Sequence, residues 1–251
     1  MTAQRARWIG TSTKMYFGYQ RHLDWITAVA GIVEQRPALA DAGITPFVIP
    51  SFPVLESALR ILRPAGVTVG AQAVSQDEGA ATGEVSASLL AEMGVRLVEI
   101  GHAERRARYG ESDEVVAAKT RASIAAGLTP LLCVGEPDGD DPAGAVRIVV
   151  EQCLAAVGDA ALLDRIVVAY EPVWAIGAPA PAGADYVNEV VAGIRSSLTD
   201  LVDGPAPSIV YGGSAGPGLL ATVPEVDGLF LGRFAHDPAN FGRVVDEALA
   251  L

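Results

Sequence analysis

Short apolar, β-branched runs recur along the chain at residues 8–10, 46–49, 67–70, 97–100, 130–134, 166–169, 208–211 and 228–231. Runs of this length, bounded by glycine or polar residues, read as strands buried on both faces. Between them lie longer amphipathic stretches at 19–35, 53–63, 113–126, 142–157, 184–199 and 238–250, which read as helices. This alternation, with no polar linker or break in composition, predicts one parallel α/β domain over residues 1–251. An open doubly wound sheet shares the alternation. Eight such units in about 250 residues favour the closed (β/α)8 barrel, a ring of parallel strands inside a ring of helices.

That architecture makes the residues just after each strand the ones to read, because barrel active sites gather at the carboxyl ends of the strands. Thr11-Ser12-Thr13-Lys14 follows the first strand and Gly101-His102-Ala103-Glu104-Arg105-Arg106 the fourth. Gly135-Glu136 follows the fifth, Glu171 the sixth, Gly212-Gly213-Ser214 the seventh and Gly232-Arg233 the eighth. Strands two and three end in Pro50-Ser51-Phe52 and Ala71-Gln72, with no ionisable side chain at the tip.

Lys14, His102 and Glu171 therefore converge. A carboxylate in an apolar pocket that can close acts as a base at carbon. A histidine opposite polarises a carbonyl and moves a proton between two oxygens, and a lysine supplies positive charge for an enediolate or a phosphate. Pro172 restricts the direction in which Glu171 leaves its strand. The apolar segment that follows, up to Gly177, has the composition of a lid. The glycines after strands seven and eight let backbone N–H groups approach an anion closely, where phosphate sites of such barrels lie.

Composition narrows the partners. With 30 acidic against 18 basic residues and a net charge of -12, the chain is a poor match for nucleic acid or an anionic membrane surface. An anionic substrate needs a local positive patch against that field. No run of about 18 apolar residues marks a membrane span. The start of the chain has no signal-peptide apolar region, and Cys133 and Cys153 form neither a disulfide framework nor a metal-ligand spacing. These features point to a cytoplasmic protein.

The segments A-Y-E-P-V-W-A-I-G at 169–177, G-H-A-E-R-R at 101–106 and Y-G-G-S at 211–214 resemble the triosephosphate isomerase family. G-E-S-D-E at 110–114, C-V-G-E at 133–136, T-G-E at 82–84 and V-D-G at 226–228 add to the resemblance, which covers essentially the whole chain. It implies a TIM barrel and a cofactor-independent, metal-free isomerase of a short phosphorylated sugar acting through an enediolate. Triose phosphates are the default substrate. Glu171 is then the base, His102 the neutral electrophile and Lys14 the electrostatic group, with Glu104 as a partner of Lys14. Ser12 contacts the substrate, and Gly177, Ser214, Gly232 and Arg233 bind its phosphate. The resemblance also implies a Glu84–Arg105 pair and a homodimer in which the segment around Thr82 reaches the partner.

Several positions depart from the family pattern. Ser12 stands where asparagine is usual, and Ala103 where a serine hydroxyl is usual. Ala178-Pro179-Ala180 replaces the glycine-rich second half of the lid, and Arg233 replaces a glycine. The Arg233 side chain either adds charge to the pocket or points away from it. Gly10-Thr11-Ser12 and Gly232-Arg233 are similar to a branch of the family whose members isomerise four-carbon erythrulose phosphates. A barrel that binds a phosphosugar without turning it over is a further reading, supported by Ser12 and Ala103 and opposed by the presence of Lys14, His102 and Glu171.

Overall fold

A computed structural model describes residues 6–139, 141–202 and 204–251. The start of the chain read above as lacking a signal peptide falls mostly on residues 1–5, outside the described residues. Eight strands form the barrel: β1 Arg7–Ser12, β2 Ile44–Ile49, β3 Thr68–Ala71, β4 Leu97–Ile100, β5 Thr129–Val134, β6 Val167–Tyr170, β7 Ser208–Tyr211 and β8 Gly228–Leu231. They pair in sequence order, all parallel, and β8 returns to β1 to close the ring. The closed TIM barrel expected from the alternation is the fold observed.

Why the strands read as continuous apolar runs is clear from their two faces. Ile9, Val48, Val98, Leu132, Val168, Ile209 and Leu229 face outward to the helices. Phe47, Ile49, Leu97, Leu131, Cys133, Val167, Ala169, Val210 and Phe230 fill the barrel interior. Both faces exclude water, so period-2 alternation carries no polar signal. Glycine is required at position 10, where a Cβ would run into the Phe47 ring.

The helices are α1 Tyr19–Glu34, α2 Ala38–Asp41, α3 Leu55–Leu62, α4 Ala87–Met93, α5 Ala103–Tyr109, α6 Asp113–Ala125, α7 Pro142–Val157, α8 Ala184–Thr199 and α9 Pro238–Ala250. The six predicted stretches correspond to α1, α3, α6, α7, α8 and α9. The segment 53–63 begins as a 3-10 turn at Phe52–Val54 before α3. The three helices without a sequence signal are short. None of the α5 residues is buried, so that helix has no apolar stripe to detect. It forms on local terms, starting at His102 and stopping at Gly110 with a left-handed φ of +67°.

Arg105 departs from the expected pairing. Within the chain its Nε donates to Glu111 Oε1 at 2.6 Å, not to Glu84, and Lys119 Nζ donates to the same oxygen at 2.6 Å. Burial alone would raise the Glu111 pKa, but the hydrogen bonds and charges of Lys119 and Arg105 outweigh it and lower it. Two cations on one buried carboxylate make the pair hard to break singly. Lys119→Met is expected to lower unfolding stability by on the order of 3 kcal/mol, read as a shift in the urea midpoint at unchanged slope.

Candidate active site

At the carboxyl ends of the strands, Ser12, Lys14, His102, Glu171, Gly177, Ser214, Gly232 and Arg233 line one cavity of about 300 Å³. The elements that carry them are far apart in sequence and meet because the barrel closes. Glu104 also lines the cavity, together with Tyr16, Ile176, Phe234 and His236, which the sequence reading did not single out.

Lys14 has a left-handed φ of +47°, uncommon outside glycine. Its carbonyl accepts from Ser51 Oγ at 2.6 Å and from Gln72 Nε2 at 2.9 Å. The neutral tips of β2 and β3 thus hold the backbone that aims the lysine. Its Nζ donates to Glu104 Oε1 at 2.7 Å. Burial would lower the ammonium pKa, yet the Glu104 hydrogen bond and charge raise it.

His102 sits at the start of α5. Its Nδ1 accepts the backbone N–H of Glu104 at 3.1 Å, which fixes the neutral tautomer with the proton on Nε2. Burial and then the Lys14 charge push its pKa down to about 4. That Nε2 lies 3.6 Å from Glu171 Oε2, beyond a hydrogen bond.

Glu171 is 5% exposed and Glu99 is 5% exposed. Burial, and then the charge of Glu99, push the Glu171 carboxyl up to about 8, against the pull of Lys14. Burial also pushes Glu99 up to about 7, while the Ser12 hydroxyl and Lys14 favour its charged form. Gly212 makes room for the Glu171 side chain, since a Cβ there would collide with its Oε1. Glu99 was missed in the sequence because it lies inside the run 97–100. The signal was a glutamate in phase with inward-facing Leu97.

The lid is tied down at both ends. Glu136 is fully buried, and its Oε1 accepts from Tyr170 Oη at 3.2 Å, Trp174 Nε1 at 3.0 Å and Tyr186 Oη at 2.9 Å. Gly177 takes a φ of +71° at the turn, which glycine adopts without penalty. Beyond it, Ser214 Oγ donates to the carbonyls of Ala175 at 2.9 Å and Ala178 at 3.0 Å, and Ala182 N donates to Tyr211 Oη at 2.9 Å. Arg233 is among the residues lining the cavity, and its exposed side chain turns toward Gly177, where Nη2 donates to the carbonyl at 3.4 Å. Among the described residues, no three His, Cys, Asp or Glu side chains are grouped to hold a metal ion.

Residues 7–248 match the sequence profile of the family described as Triosephosphate isomerase. The chain belongs to the triosephosphate isomerase family. A protein of that family from Pectobacterium atrosepticum, named L-erythrulose-1-phosphate isomerase, is 47% identical over 97% of this chain and 96% of its own length. One of the same name from Mesorhizobium japonicum is 39% identical, covering 97% of each. The crystal structure of triosephosphate isomerase from Bartonella henselae superposes with a TM-score of 0.82 at 29% identity, over 98% of this chain and all of that one. The chain is an isomerase of phosphorylated sugars, as the resemblance of its motifs implied.

The elevated Glu171 pKa has a consequence for stability. A carboxyl that binds its proton more tightly when folded makes the fold less stable as pH rises from its ordinary 4.5 toward about 8. Glu171→Gln is therefore expected to raise the melting temperature more at pH 8 than at pH 5. Equal shifts at both pH values, measured by calorimetry, would contradict the burial argument.

Proposed function

We propose that the substrate is L-erythrulose 1-phosphate, a four-carbon ketose phosphate, and that the reaction moves its carbonyl from C2 to C3. The observation that carries this reading is the 47% identity, over nearly both full lengths, to a relative named for that activity. Among this chain's own residues, Ser12 and Arg233 depart from the triose pattern and both line the cavity.

Glu171 takes the proton from C3, and the C2 carbonyl oxygen is polarised by His102 Nε2–H and by Lys14. The resulting C2–C3 enediolate is held by the lysine charge. His102 gives its Nε2 proton to the C2 oxygen and takes one from the C3 hydroxyl. Glu171 returns its proton to C2, leaving the carbonyl at C3 with no net gain or loss of atoms. The phosphate lies against backbone N–H groups at Gly177, Ser214, Gly232 and Arg233. The lid holds the phosphate in one orientation, which matters because an enediolate beside a phosphate ester is prone to expel it by elimination.

Triose phosphates, the default by family, remain as a second reading, supported by the family profile and the Bartonella henselae structure. Measuring kcat/KM on L-erythrulose 1-phosphate and dihydroxyacetone phosphate separates the two. The expected outcome is a clear preference for the four-carbon substrate, and preference for the triose would reverse the assignment. Glu171→Gln should lower kcat by about 10²–10⁴ if it is the base. A loss below tenfold removes it from that role.

A homodimer accompanies this reading. Met15 and Tyr16, beside Lys14, are 86% and 52% exposed, apolar surface that a partner's segment around Thr82 would cover. Sedimentation equilibrium should give twice the chain mass, and a monomer at micromolar concentration would exclude it.

A further inference from the structure

The four-carbon reading raises a problem that the site must solve. L-erythrulose 1-phosphate is dihydroxyacetone phosphate with one hydroxymethyl group added at the carbon that loses the proton. The phosphate end is defined by Gly177, Ser214 and Gly232. The added group therefore points the other way, toward the floor of the cavity beside Lys14 and His102. That floor needs extra space and a polar group suited to a primary alcohol.

Ser12 supplies the floor. It lines the cavity, is 4% exposed, and its Oγ has no hydrogen-bond partner among the described residues. The Ser12 hydroxyl favours the charged form of Glu99, whose Oε2 is likewise buried and unpartnered among the described residues. Two such atoms together are costly to leave unpaired. They sit on β1 and β4, strands that are not neighbours in the ring, and both are buried at the barrel interior.

Donor and acceptor arithmetic gives the pair a direction. A serine hydroxyl has one proton and two lone pairs, and an ionised carboxylate only accepts. With Glu99 ionised, a small rotation lets Ser12 give it its proton, and Oγ then presents lone pairs to the cavity. The lysine and the histidine N–H already serve the carbonyl and enediolate oxygens, which accept. An acceptor on the floor suits a hydroxyl that donates, and the C4 hydroxyl of the four-carbon substrate is such a group. A triose phosphate has no C4, so its binding leaves Ser12 Oγ unpaired. An amide at position 12 would fill the space and aim a donor at the sugar instead.

We propose that Ser12, oriented by Glu99, forms the subsite that receives the terminal hydroxymethyl group of a four-carbon ketose phosphate. Ser12 touches the substrate, and Glu99 is a positioning residue that acts through it. The inference rests on the four-carbon reading above.

The test measures kcat and KM on L-erythrulose 1-phosphate and on dihydroxyacetone phosphate for the full-length enzyme and four variants. Ser12→Ala and Ser12→Asn should lower the ratio of kcat/KM, four-carbon over triose, by about tenfold or more, mainly through KM. Glu99→Leu, which removes the acceptor, should lower the ratio similarly. Glu99→Gln keeps a carbonyl oxygen that can accept from Ser12 and should hold the ratio within about threefold. Equal losses on both substrates in the Ser12 variants, or an unchanged ratio, would overturn the subsite. Loss of the ratio in Glu99→Gln as severe as in Glu99→Leu would remove Glu99 from the positioning role. If Glu99→Leu does not fold, the Ser12 variants and Glu99→Gln still decide the matter. Wild-type enzyme that turns over only the triose overturns the four-carbon reading itself, and a result on the variants alone does not.

Discussion

A carboxyl group at the end of β6 is kept out of water, and its surroundings are arranged accordingly. Glu171 lies between a neutral histidine, a lysine and a second buried glutamate, Glu99, which raises its proton affinity further. A group held in this way is a stronger base once ionised than a solvated glutamate. The same burial works against the folded state above the ordinary carboxylate pKa. Closing eight strands into one ring is what makes the arrangement affordable, because Glu99, Cys133, Glu171 and Ser12 come from four different strands or strand ends of a rigid interior.

Neutrality of His102 follows first from its burial and is matched by local backbone geometry. Its Nδ1 accepts the Glu104 amide at the first turn of α5, and a protonated imidazole would lose that bond. Lys14 nearby adds a like charge against protonation. The lysine itself depends on a left-handed backbone that Ser51 and Gln72 hold from β2 and β3. Charge for an anionic sugar is thus concentrated at Lys14 and Arg233, within a chain whose net charge is -12. Focusing of this kind in a cleft raises local substrate concentration despite the opposing overall field.

The segment after Glu171 joins that carboxyl to the cavity wall at Gly177 and Ser214. Glu136 gathers three donors from Tyr170, Trp174 and Tyr186 and so anchors the segment after Glu171. Ser214, with its own left-handed φ of +54°, fastens both sides of Gly177, sharing its hydroxyl proton between the carbonyls of Ala175 and Ala178. Ala178-Pro179-Ala180 departs from a glycine-rich pattern, yet the hydrogen bonds that hold this segment use backbone groups, which a change of side chain leaves in place.

By itself, the sequence determined the strand order, six of the helices and the residues that meet at the mouth of the barrel. Each is written in local signals: apolar runs, helical periodicity, and polar residues placed directly after a strand. Helix α5 escaped because it buries nothing, and Glu99 escaped because an apolar run hides the phase of its third residue. Which cation Arg105's carboxylate shares, where the Arg233 guanidinium points, and that Ser12 and Glu99 are both buried with unpartnered polar atoms were decided only by the tertiary structure. Those contacts join residues whose separation is set by barrel closure and side-chain direction, and neither is encoded in the spacing of residues along the chain.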